Sequence, residues 1–201
     1  GTDVAREAAS IVLLDDDFGS IVKTIRLGRR IYDNLRKSMG YIVAIHIPMA
    51  GLALLPLMFG LPLMLGPIHI AFLEMVIDPA CSIVFEAEGE EKDVMTRPPR
   101  DPAGSLLPLR LVLWPLLHGV LALILIAATL IQGWRLHMPE GDLRSLVFTA
   151  FVGMNACLIF VNRSFSSSLI SAFLRPNRSL WILLSGVAVV LAGALVTDRG
   201  K

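Results

Sequence analysis

The chain has 201 residues, 55% of them hydrophobic and 17% charged, with a net charge of +1 and a mean hydropathy of +0.69. That is too apolar for a soluble domain of this length, and too balanced in charge for nucleic acid to be a partner, which leaves a multispanning membrane protein. Cys81 and Cys157 both fall inside apolar stretches, where inert packing is the default over a disulfide or a metal pair.

Residues 1–37 are the only substantial soluble part. The opening GTDVAREAAS is polar and lacks the apolar core of a signal peptide. It does not begin with Met, so the chain reads as cut from something longer. GTDVAREAA predicts a short helix, and SIVLLDDD predicts one buried strand ending in acids. A lone strand needs a sheet, so its partners are expected upstream or in another chain. FGSIVKTIRLGRRIYDNLRK then starts a helix, with Asp17 as N-cap, apolar Ile21, Ile25 and Leu27, and bases on the other side. Nothing breaks it before Gly40, so it runs on into the first span as a stalk of roughly 50 to 60 Å.

Five apolar stretches approach the roughly 20 residues needed to span a membrane: 41–59, 68–85, 110–133, 145–162 and 179–197. The fold class is therefore mainly α: a polytopic helical membrane bundle of about five spans, preceded by a small α/β remnant and the stalk. The first two spans form a tight hairpin through the uncharged GLPLMLGP, and EAEGEEKDVMTRPPRDPAG joins the second to the third. In that loop the acids Glu86, Glu88, Glu90, Glu91 and Asp93 read as a solvated run, or alternatively as a cation entry funnel. The stretch RPPR reads as a rigid linker, or as a docking point on a cytoplasmic domain.

Basic residues fix the orientation. Lys23, Arg26, Arg29, Arg30, Arg36 and Lys37 precede the first span; Lys92, Arg97, Arg100 and Arg110 flank the second loop; Arg163, Arg175 and Arg178 lie between the fourth and fifth spans. The other side has Arg135 and Arg144, with Arg199 and Lys201 at the end. The positive-inside rule makes the N-terminus cytoplasmic, in a multi-pass protein of the plasma membrane.

The chemistry concentrates in residues 41–85. Glu74 and Asp78 are four apart, hence on one helical face. Pro79 and Pro48 deprive the carbonyls of Met75 and Ala44 of their helical donors. Acids at membrane depth beside broken backbone mark an ion path more often than not, and carboxylates with freed carbonyls suit a hard cation. The plainer reading is an acid paired with a neighbouring helix and prolines that only bend their spans. The coincidence of acids, prolines and His46 within one hairpin favours a site, with Asp78, Glu74 and His46 as cation ligands and Ser82 extending the polar stripe. The two carboxyls repel when both are ionised in a low dielectric, so the empty site would hold a proton, with His46 as ligand or titrating gate. Asn155 is a secondary candidate whose amide more ordinarily bonds a neighbouring helix. His69, His118, Trp114, Trp134 and Trp181 read as interfacial or packing residues.

Three blocks in order, GTDVAREAASIVLLDDDFGSIVKTIRLGRRIYDNLRKSMGYIV, LPLMLGPIHIAFLEMVID and EKDVMTRPPRDP, resemble the C-terminal part of a P-type cation-transporting ATPase. The resemblance covers nearly the whole chain. It implies that residues 1–37 close the phosphorylation domain and form the cytoplasmic stalk, and that residues 38–201 are the transmembrane cation-transport domain, helices five to nine. Against the calcium-type pumps, Asp78 is the one matched ligand. Glu74 stands where they have asparagine, Ile77 where they have threonine, and His46 and Met49 where they have asparagine and glutamate, which leaves the ion open. The stretches DKTGT, TGE and GDGVND are absent from the chain, so ATP and Mg²⁺ are implied for the intact pump and no cofactor for these residues. The implied partners are the lipid bilayer, the transported cation and the pump's N-terminal and cytoplasmic domains. The other reading is a non-enzymatic membrane remnant, or an accessory protein that binds or regulates ions.

Overall fold

The computed structural model describes residues 2–14, 17–99, 108–163 and 176–198. Asp15, Asp16, Arg100, Arg175, Arg199 and Lys201, which entered the readings above, lie outside them.

Helix α1, Asp3–Ala8, is capped by the Thr2 hydroxyl, which accepts from the Ala5 amide at 3.4 Å. The expected strand does not form: residues 9–14 have no regular structure, and there is no strand among the described residues. The physical reason is visible in Ile11 and Leu14, which are 76% and 95% exposed. With no sheet among the described residues to receive its ladder groups and no core there to receive its side chains, an apolar tetrad gains nothing from extending.

Helix α2, Phe18–Phe59, is 42 residues long, about 63 Å at the α-helical rise. Asp17 caps it as expected, its carboxylate accepting from the Gly19 amide at 2.8 Å. It ends at Gly60, whose φ of +64° lies in the left-handed region where a residue without Cβ sits unstrained. α3, Pro67–Pro79, opens with proline in its first turn and passes directly into a π-helical turn, Ala80–Phe85. The bundle is completed by α4, Leu109–Arg135, α5, Glu140–Asn162, and α6, Arg178–Asp198. Among the described residues four helices are long and apolar enough to cross a membrane, and the Arg178–Ala192 part of α6 is apolar but shorter.

α2 is the central element. Its buried face, with Tyr41, Ala44, Ile45 and Leu52, packs with Leu73 and Ile77 of α3, Ile126 and Leu130 of α4, and Phe151 and Ile159 of α5 in one apolar core. The α2–α4 contact is close because it is built on glycines. A Cβ at Gly119 would stand 2.6 Å from the Ala44 carbonyl oxygen, and one at Gly51 would stand 2.3 Å from Leu123. The Ala44 carbonyl that Pro48 strips of its amide donor therefore faces Gly119 at a range that only a residue without Cβ allows.

The loop after the π-turn is fastened to the stalk half of α2. Lys37 Nζ lies 2.6 Å from Glu91 Oε1 with both side chains buried. Arg29 donates to the carbonyls of Val94 and Arg97 at 2.9 and 2.8 Å, and the Arg97 guanidinium pairs with Asp33. That hydrogen bond to the Asp33 carboxylate holds Arg97 above the ordinary arginine range. The acidic run is thus neither a solvated loop nor a funnel throughout: Glu88 and Glu91 are buried in ion pairs, while Glu86, Glu90 and Asp93 stay on the surface. Arg97 docks on the stalk rather than opening a free linker.

Two outcomes are expected. Gly119→Val forces α4 away from the Ala44 carbonyl and lowers stability by about 1 to 3 kcal/mol, as overpacking does, read as a fall in thermal midpoint in detergent. Glu91→Ala strips the buried Lys37 ammonium of its carboxylate and lowers stability by about 3 to 5 kcal/mol, whereas the double replacement Lys37→Met with Glu91→Leu recovers most of the loss.

Candidate functional site

The hairpin of α2 with α3 and the π-turn carries the predicted residues. Glu74 is half-buried on α3; Asp78 and Ser82 are exposed one turn and two turns further on. Pro79 terminates α3, and the backbone answers with the wider π register over Ala80–Phe85, a deformation found at functional positions in helices. The Ser82 hydroxyl donates to the Asp78 carbonyl at 2.8 Å, supplying that oxygen with a donor where the register widens. The hydroxyl is therefore engaged with backbone, and the Asp78 carboxylate is the group presented outward.

His46 stands on the exposed side of α2, its Nδ1 2.8 Å from the Ile42 carbonyl one turn back. A carbonyl can only accept, so Nδ1 is the donor in this contact and Nε2 is the ring nitrogen turned away from it. Pro48 is buried, and the carbonyl it frees faces α4, away from any role as a ligand. Among the described residues no three His, Cys, Asp or Glu side chains converge as a metal-holding group. Glu74 and Asp78 share a helical stripe, while His46 belongs to the neighbouring helix.

Asn155 is 1% exposed and accepts the Tyr41 hydroxyl at 2.6 Å. Its Nδ2 is buried with no partner among the described residues. Tyr41 is packed against Phe85 of the π-turn, ring centroids 5.4 Å apart, and Glu74 and Cys81 lie within its electrostatic reach. Sequence reasoning named Asn155 and passed over Tyr41. A tyrosine at the start of an apolar run looks like a belt residue, and only the fold shows its ring wholly inside.

Beside this cluster, between α2 and the π-turn, runs a groove of about 440 Å³ whose polar lining is Arg30, Asn34, Ser38, Cys81, Ser82 and Glu86. It brings Ser82, next to Asp78, into line with the charged loop end of the bundle. At the other end, His69 Nδ1 accepts from the Gly66 amide at 3.2 Å and its ring meets Phe148 edge-on. It acts as a cap for α3, in keeping with an interfacial rather than a ligating role.

Apolar helices of membrane length, threaded by one long helix that emerges as a stalk and carrying acids beside a helix break, define a multi-pass membrane protein of the transport type. Residues 62–198 match the family described as cation transporting ATPase, C-terminus, and the chain belongs to that family, as the C-terminal membrane region of a P-type ATPase. It is 32% identical over 199 residues, 98% of its own length and 22% of the relative's, to the probable cation-transporting ATPase F of Mycobacterium tuberculosis. It is 44% identical over 104 residues, 51% of this chain and 10% of the relative, to the sodium/potassium-transporting ATPase subunit alpha-3 of Homo sapiens. The corresponding alpha subunit of Hydra vulgaris is 42% identical over 102 residues. The chain thus spans about a fifth or less of the length of these curated relatives.

The buried Tyr41–Asn155 pair gives a direct check. Tyr41→Phe leaves a second polar atom of Asn155 unmatched in the core and lowers stability by about 1 to 3 kcal/mol, while Tyr41→Phe combined with Asn155→Leu, which removes both partners, comes close to the wild type. Thermal midpoints of the four proteins in detergent close the cycle.

Proposed function

We propose that this chain supplies the intramembrane cation-binding site of an ATP-driven cation pump. The observation that carries the reading is the pair Glu74 and Asp78 on one face of an apolar helix that breaks into a π-turn at Pro79. Charge at membrane depth is expensive unless a cation or an aqueous path receives it, and irregular backbone there is tolerated where it lines a cavity. Asp78 and Glu74 are the principal ligands, with Nε2 of His46 as a third ligand or titrating gate. Because the three do not converge within these residues alone, a complete coordination shell draws on helices beyond them. A mixed carboxylate and imidazole set suits a divalent cation of the first transition row as well as a harder ion.

In this reading the stalk half of α2 relays the state of a phosphorylation domain to the site, and that domain uses ATP with Mg²⁺. The clustering of Lys and Arg along the stalk and the loop after the π-turn supports a cytoplasmic N-terminus, and the plasma membrane is the proposed location. Relatives named as cation-transporting and sodium/potassium-transporting ATPases support the reaction class, and none of these names fixes the ion for this chain.

The test is transport by the full-length protein in sealed vesicles against a panel of monovalent and divalent cations, with ATP hydrolysis followed in parallel. Asp78→Asn is expected to raise the half-saturating concentration of the transported ion by about tenfold or more, equivalent to about 1.4 kcal/mol. Unchanged transport in that variant refutes the assignment of Asp78.

A further inference from the structure

Glu88, just beyond the π-turn, is gripped from two sides. Its main-chain carbonyl accepts from Arg30 Nε and from Asn34 Nδ2, both at 2.8 Å and both from the stalk half of α2. Its carboxylate, 1% exposed, receives Arg163 Nε at 2.5 Å from the C-terminal end of α5 and Asn177 Nδ2 at 2.6 Å from the residue before α6. Asn177 Nδ2 also donates to the Val84 carbonyl inside the π-turn at 2.9 Å, and its Oδ1 accepts the Leu180 amide at 3.1 Å. Arg163 is fully buried.

Stability alone is a weak reason for such a cluster. Taking a carboxylate and a guanidinium out of water costs about as much as their attraction returns, and an apolar pair of the same volume often serves better. What the pair provides that an apolar contact would not is a fixed, directional joint between elements far apart in sequence. On one side of Glu88 is the stalk; on the other are the ends of α5 and α6; between Asp78 and Glu88 lie Pro79, the π-turn, Glu86 and Ala87. An ordinary α register would differ from this π register by one residue, and two such arrangements of one element are what a coupling route of this kind requires.

We propose that Glu88 is a positioning residue that sets the π-turn, and through it Asp78, against the stalk, with Arg163 and Asn177 as the anchor. The inference rests on the pump reading above. Displacement of the stalk pulls on the Glu88 carbonyl through Arg30 and Asn34; the anchored carboxylate resists, and the difference is taken up in the backbone of Ala80–Phe85.

The experiment titrates cation-stimulated ATP hydrolysis by the full-length protein with each ion of the panel. Glu88→Gln keeps the carbonyl and the shape but removes the charge; Asn177→Ala keeps the Arg163 ion pair but takes the amide away from both Glu88 and Val84. Both are expected to shift the half-saturating cation concentration by about threefold or more, with the maximal rate per folded molecule changed less than that. Glu90→Gln, which alters an exposed acid 3.7 Å from Arg26, is expected to leave the half-saturating concentration in place. A loss of folded protein and maximal rate with an unmoved half-saturating concentration in both variants overturns the proposal and leaves the pump reading standing. Absence of cation stimulation in the wild type overturns the pump reading and this inference together.

Discussion

A carbonyl oxygen in an apolar medium has no water to turn to, so a span that contains proline must find another donor for the group that proline disconnects. This chain meets that constraint at Pro48, Pro56, Pro79 and Pro115, and its answers differ in a way that shapes the bundle. At Pro48 the answer is packing: α4 brings Gly119 against the Ala44 oxygen, which locks the two helices at close range. Pro115 stands against Gly40, so the same pair of helices is tightened again nearer the stalk. At Pro79, which leaves the Met75 oxygen without its helical donor, the helix changes register over Ala80–Phe85, and the Ser82 hydroxyl bonds the neighbouring Asp78 oxygen. The backbone is closely packed where α2 meets α4 and leaves the α register beside Asp78.

The second constraint acts at the loop end of the bundle. Lys37, Glu88, Glu91 and Arg163 are all buried there, and each charge has an oppositely charged partner at 2.5 to 2.6 Å. Removing such groups from water is tolerable only when partners satisfy both charge and hydrogen bonding, and those partners come from α2, the loop after the π-turn, α5 and the start of α6. The loop is consequently part of the framework. It closes the helices at one end, whereas the hairpin at the other end is held more lightly, by His69 on Gly66 and Arg144 on the Leu63 carbonyl.

Which of these features a reader of the sequence can recover follows from the range of the forces involved. The helices were legible because apolar run length and the local signals at Asp17, Gly60 and Pro67 are short-range. The expected spans of 41–59 and 68–85 end at Phe59 and Phe85, where the helices do. The position of the break at Pro79 was legible for the same reason, though not its π-helical form. The strand expected in SIVLLDDD failed because a strand is a property of a sheet, and the side chains that read as a buried edge have nothing to bury against. The loop 86–97 was misread because charge alternation looks solvated from within its own window. The partners that bury Glu88 lie 75 and 89 positions away, beyond any local pattern. Of the candidate site, the stripe of Glu74 and Asp78 is a matter of helical spacing and could be read directly. The direction of the Ala44 carbonyl and the burial of Tyr41 depend on which helix lies next to which.

In the proposed reading, the two constraints give the site two unlike sides. On one side, Tyr41 bonds Asn155 inside the core and α2 packs on α4 through its glycine contacts, an arrangement that cannot shift without opening the core. On the other side, Asp78 sits at the entry to a π-turn whose hydrogen bonding is already out of the α register. A site that must hold an ion and then release it needs a reference that stays in place and a ligand that can be displaced against it. Two equally rigid walls would bind without releasing, and two loose ones would not define a site at all. In that reading the proline at position 79 does more than end α3: it sets a backbone outside the α register immediately after the aspartate, where a change of register would move the carboxylate.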